Sequence, residues 1–96
     1  MRVIKLMADY HCYPLWEASP GVVGNIDPVT LPIHKGLIDR LNAWANDYDA
    51  TLNLDDPMAS GFASEQAKSE FASRAGLLVA DLQNELGPEY VVKAYG

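Results

Sequence analysis

The chain has 96 residues, 49% of them hydrophobic and 21% charged, with 13 Asp or Glu against seven Lys or Arg and a formal net charge of −6. That length predicts one domain, residues 1–96, around one modest core, and the composition argues against global disorder. The acidic balance argues against direct contact with nucleic acid, whose phosphates would be repelled.

Residues 1–7 form an apolar run broken by Arg2 and Lys5, too short for a signal-peptide core or a membrane span. The lone Cys12 builds no disulfide framework, so a cytoplasmic protein is expected, monomer or homodimer, away from any membrane. Residues 2–9 (RVIKLMAD) read as a strand, with Ile4, Leu6 and Ala8 on one face and Val3, Lys5 and Met7 on the other. Residues 10–32 carry four prolines and two glycines, and no helix is expected to survive that punctuation. Within this stretch Ser19-Pro20-Gly21 makes a turn between residues 15–18 and 22–23, which predicts a short hairpin. Asp27 before Pro28 pairs a helix N-cap with a proline at the first helical position, enough to start a helical turn.

From about residue 34 to 52, Leu37, Leu41, Trp44, Ala45, Tyr48 and Leu52 recur at three- and four-residue steps. This is an amphipathic helix with Trp44 near the centre of its buried stripe, although Gly36 and the absence of a good cap leave its start weakly marked. Residues 64–86 repeat the pattern through Ala67, Phe71, Ala75, Leu78, Val79, Leu82 and Leu86. Ser64 caps that helix, Glu65 suits its dipole, Gly87 suits the left-handed position after it, and Pro88 forbids continuation. Residues 90–95 (YVVKAY) are β-rich. The order β, long loop, α, α, β predicts an α/β (α+β) fold. The economical form is a small two-layer sandwich, with two amphipathic helices on one face of a small sheet containing the N- and C-terminal strands side by side. Whether those strands run parallel is left open by the pattern.

Between Arg40 and Lys68 stand Asp47, Asp49, Asp55, Asp56 and Glu65, and no lysine or arginine. A fixed negative patch of this kind favours a cationic partner. On a helix, Asp47 and Asp49 point about 200° apart, so they do not share a face. The alternation from Asp47 through Asp55 invites comparison with a calcium loop, but Leu52 stands where glycine is required and Met58 where a bidentate glutamate is required. No metal or cofactor is therefore expected. Asp56 before Pro57 repeats the cap-and-proline logic, with Gly61 as its end, which leaves Asp47, Asp49 and Asp55 as the better candidates for facing a partner.

His11 and Cys12 are the only nucleophile-like pair, and on an extended chain adjacent side chains point to opposite faces. No oxyanion turn follows Cys12, and no HExxH, GxSxG, phosphate-loop or dinucleotide fingerprint occurs in the sequence. A small buried thiol and a loop histidine are expected, and catalysis is not. A small enzyme or ligand-binding protein working through residues 10–16 with Cys12 is the alternative. Tyr10, Tyr13 and Trp16 are concentrated in the same loop beside Glu17, and aromatic residues of this kind anchor interfaces. The competing structural use is for Trp16 to fold back over the open sheet. Tyr13, Trp16 and Glu17 join the aspartates as candidate partner contacts.

Three phrases carry a resemblance: MADYHCYPLW; Gly24-Asn25-Ile26-Asp27-Pro28 leading to LPI; and YDATLNLDDP followed by Ser60-Gly61-Phe62. Together, over Val3 to about Phe71, the chain resembles small bacterial immunity proteins associated with polymorphic, contact-dependent growth inhibition toxins. The resemblance implies a cytoplasmic inhibitor that binds the toxin domain of a sibling cell. Many such toxins are nucleases with basic active sites, in which carboxylates can occupy phosphate subsites.

Overall fold

The computed structural model describes residues 1–52, 61–62 and 64–94. It runs β1 (Arg2–Leu6), β2 (Leu15–Glu17), β3 (Gly24–Ile26), a 3₁₀ turn (Pro28–Thr30), α1 (Lys35–Asp49), α2 (Glu65–Leu86) and β4 (Tyr90–Ala94). The strands form one four-stranded sheet in the order β3-β2-β1-β4. β1 pairs antiparallel with β2, and β2 with β3, while β1 and β4 run parallel. The terminal strands therefore lie side by side, as the element order predicts, and both helices pack on one face of the sheet. Among the described residues no helix is long and apolar enough to cross a membrane.

The strand alternation decides which face is covered. Ile4 and Leu6 of β1, Leu15 of β2, Ile26 of β3 and Val92 of β4 are buried against Leu37, Leu41 and Trp44 of α1 and Leu78, Leu82 and Leu86 of α2. Val3, Lys5, Trp16 and Val91 occupy the opposite parity, on the face away from the helices. β1 ends at Leu6, earlier than the run to Asp9 suggests: Met7 still donates its N–H to the Pro14 carbonyl at 3.0 Å, but Pro14 has no N–H to return and the ladder stops there.

The hairpin forms, but its second arm is Gly24–Ile26 rather than residues 22–23. Ser19 accepts the Val22 N–H at 3.0 Å and Gly21 takes φ +77°, as a type II turn with Pro20 ahead of it requires. The register sets Ile26 opposite Leu15, which brings the apolar side chain of β3 into the core and leaves Val23 94% exposed. Asp27 caps the 3₁₀ turn by accepting the Val29 N–H, with Pro28 at its first position.

α1 begins without a side-chain cap; instead the His34 N–H donates to Glu85 Oε1 at 2.9 Å and the His34 ring pairs with the same carboxylate. α2 is capped by Ser64, which accepts the Ala67 N–H, and it ends at Gly87 with φ +83°. Gln83 then fastens α2 to β4. Its amide donates to the Gly87 and Tyr90 carbonyls, and its carbonyl accepts the Val92 N–H at 2.9 Å. Because these β4 groups are held by a side chain, that sheet edge is blunted.

Candidate functional site

The loop between β1 and β2 is fixed to the C-terminal half of α1 by contacts from several side chains. The Tyr10 hydroxyl lies 3.0 Å from Thr51 Oγ1, and its ring meets the Tyr48 ring at 4.7 Å between centroids. Burial, and then the neighbouring Tyr10, push the Tyr48 phenol up from its ordinary value. The His11 N–H donates to Asp49 Oδ1 at 3.0 Å. Reaching that carboxylate places His11 at φ +61°, the one positive φ outside glycine among the described residues. From the other side, Asn25 of β3 clamps Tyr13. It accepts the Tyr13 N–H at 2.8 Å and donates to the Tyr13 and Leu15 carbonyls.

A cleft of about 650 Å³ opens between this loop and α1, with His11, Cys12 and Tyr13 on one wall and Asn42, Asn46 and Asp49 on the other. The α1 residues fall at i, i+4 and i+7, one stripe of the helix, and the small Ala45 between them leaves the space open. The lining has a carboxylate and several amides and, among the described residues, no lysine or arginine. Asn25 makes three hydrogen bonds, whereas among the described residues the Asn42 and Asn46 side chains make none.

The expected partner contacts separate. Asp49 and Tyr13 meet at this cleft, and Tyr13 is 46% exposed. Asp47 faces the other way, as the helical period requires, and forms an exposed ion pair with Arg74 of α2. Asp55 and Asp56, with the turn expected at Asp56-Pro57, lie outside the described residues, as does Tyr95.

Trp16 folds back on the sheet, donating its indole N–H to the Met7 carbonyl at 3.0 Å. Glu17 accepts from Arg2 Nε at 2.8 Å and from the Ser19 hydroxyl at 2.7 Å, and its side chain is 11% exposed. The Ser19 hydroxyl, and then Arg2, hold its carboxyl below the ordinary carboxylate range against the opposing effect of burial. No motif or charge marks Asn42 and Asn46; the sequence signal for them is their spacing with Asp49 along α1.

Among the described residues, Cys12 and His11 do not pair. Cys12 Sγ contacts the Tyr10 carbonyl at 3.4 Å, and no hydrogen bond joins it to the His11 ring among the described residues. Nor do the described residues gather three or more His, Cys, Asp or Glu side chains as a metal site would need.

The chain belongs to the Serratia CdiI immunity protein-like family, whose model matches residues 2–95. No curated protein matches it.

Proposed function

We propose that this protein neutralises a cognate toxin domain by binding it, without catalysis, in the cytoplasm of the cell that makes it. The match to an immunity family over residues 2–95 carries this reading. The partner is a basic toxin domain, of the nuclease kind that the family resemblance implies, met by the acidic surface around the end of α1. Asp49 and the exposed Tyr13 face it directly. Asp47 contributes less than its place in the sequence suggests, because Arg74 offsets its charge. Electrostatic complementarity of this type raises the association rate and enforces partner choice, while buried aromatic groups slow dissociation.

Co-expression with the toxin domain encoded immediately upstream tests the reading. Protection of the host cell is expected, with a complex whose association slows as salt rises. No protection from that domain would remove the immunity reading. Asp47→Lys, Asp49→Lys and Asp55→Lys together should slow association. An unchanged on-rate in a folded triple variant would show that the acidic surface does not steer binding.

A further inference from the structure

Resting on that immunity reading, we infer that the cleft between the β1–β2 loop and α1 seats an extended, arginine-bearing segment of the toxin. In this arrangement the Asn42 and Asn46 amides hydrogen-bond its backbone, while Asp49 and Tyr13 hold the guanidinium.

The unpartnered amides are the first ground. Asn42 is half-buried and Asn46 exposed, they lie one helical turn apart, and neither makes a hydrogen bond among the described residues. Each offers a carbonyl acceptor and an amide donor, the complement of a peptide group. A partner that covers them must supply those bonds, since a buried polar group left unpaired is costly. An extended backbone does so with any side chains. Asn25, in the same cleft, already spends both amide hydrogens on the Tyr13 and Leu15 carbonyls and accepts the Tyr13 N–H, so recognition falls to the α1 pair.

Charge gives the second ground. Asp49 uses Oδ1 for the His11 N–H. Its other oxygen makes no hydrogen bond within the described residues and shares the cleft with the exposed ring of Tyr13. A free carboxylate oxygen and an aromatic ring in one cleft suit a guanidinium, which can donate to the one and stack on the other better than a lysine ammonium does. Among the described residues the lining carries no lysine or arginine to compete with it. A nucleic-acid strand would bring phosphates to the same carboxylate and is disfavoured.

The site is also held ready. His11 is locked at positive φ by its bond to Asp49, Tyr10 is tied to Thr51, and Tyr13 to Asn25. A wall already ordered loses little conformational freedom on binding.

The experiment has two arms. In the first, the full isotopically labelled chain is titrated with acetyl-Gly-Arg-Gly-amide and, as control, acetyl-Gly-Glu-Gly-amide. The arginine peptide should shift the side-chain amide signals of Asn42 and Asn46 saturably, and the glutamate peptide should not. Asp49→Asn keeps an acceptor for the His11 N–H while removing the charge, and should abolish the preference. Equal responses to both peptides, or shifts that avoid the cleft, overturn the inference.

In the second arm the toxin domain encoded immediately upstream is bound and Cys12, the sole cysteine in the sequence, reports on the cleft through alkylation by iodoacetamide. Bound toxin should slow alkylation about tenfold or more, and Asn42→Ala with Asn46→Ala should weaken binding by about tenfold or more, each lost bond being worth several-fold. A toxin that binds tightly while Cys12 reacts at its free rate overturns the inference and leaves the immunity reading intact. A toxin that fails to bind while the arginine peptide still seats in the cleft has the opposite meaning. The cleft assignment then stands for an arginine segment, and the toxin reading falls.

Discussion

Trp44 of α1 and Phe71 of α2 are joined twice. Their rings stack at 4.3 Å between centroids with 10° between planes, and the Trp44 indole N–H donates to the Phe71 carbonyl at 3.1 Å. The contact sets how the helices meet beside the sheet. Trp44→Phe keeps the stack and loses the hydrogen bond, so a cost of about 1 kcal/mol is expected. Trp44→Ala removes both and leaves a cavity, with an expected cost of about 3–5 kcal/mol. Urea denaturation of the two variants checks the gap between them; equal costs would show that the stack contributes nothing.

Gln83 holds backbone groups of β4 that would otherwise be an open sheet edge. Gln83→Ala should lower stability by about 2 kcal/mol, because the Gly87 and Tyr90 carbonyls and the Val92 N–H lose their partner together. It should also favour edge-to-edge association. Thermal unfolding measures the first effect and light scattering against concentration the second. A variant that stays at the oligomeric state of the wild type would show that the edge is protected by other means.

His11 adopts a backbone conformation that side chains disfavour by about 1–2 kcal/mol. Glycine removes that strain but adds freedom to the unfolded chain, so His11→Gly should be neutral or stabilise by about 0.5 kcal/mol. His11→Val should destabilise by more than 1 kcal/mol, since β-branched residues tolerate positive φ least. Chemical denaturation ranks the three proteins, and a valine variant as stable as the wild type would contradict the assignment of strain.

Acid stability follows from Glu17 and Glu85. Both carboxyls sit below the ordinary range, Glu17 chiefly through the Ser19 hydroxyl and Glu85 chiefly through the His34 backbone N–H. A lowered folded-state pKa means that their stabilisation is present above the unfolded value of about 4.3 and disappears as pH falls through the lowered values. Unfolding midpoints measured from pH 7 down to pH 3 should therefore decline through this window. Glu17→Gln should be less stable at pH 7, by about 1 kcal/mol or less, with a flatter acid limb. An acid limb as steep as the wild type's would assign the effect to other groups.

Much of this architecture is written locally. Ser64 and Gly87 bracket α2 where cap chemistry places them, and Asp27 with Pro28 starts the 3₁₀ turn for the same reason. The alternation of Ile4 and Leu6 correctly marks the buried face of β1. What sequence spacing does not carry is who stands across from whom. Trp16 and Glu17 look available in a loop, yet their partners are the Met7 carbonyl on one side and Arg2 and Ser19 on the other. Likewise Asp47 lies in a tract without cations, but Arg74 reaches it from the next helix. The parallel pairing of β1 with β4 is a long-range choice of the same kind. At the cleft, Tyr13 and Asp49 are legible as an aromatic and an acid, and the spacing of Asn42, Asn46 and Asp49 marks one stripe of α1, but nothing local says that the β1–β2 loop stands across from it.

That parallel pairing has a practical side. Arg2 stands opposite Tyr90 and Leu6 opposite Ala94, so the first and last strands begin at one rim of the sheet and finish at the other. Ala94 shares a wall with Leu6, Met7 and Ala8, the stretch that feeds the loop carrying Tyr10 and Tyr13. A fluorescent reporter or affinity handle fused ahead of Arg2 therefore hangs from the rim opposite Leu6 and Ala94, away from the loop that carries Tyr10 and Tyr13.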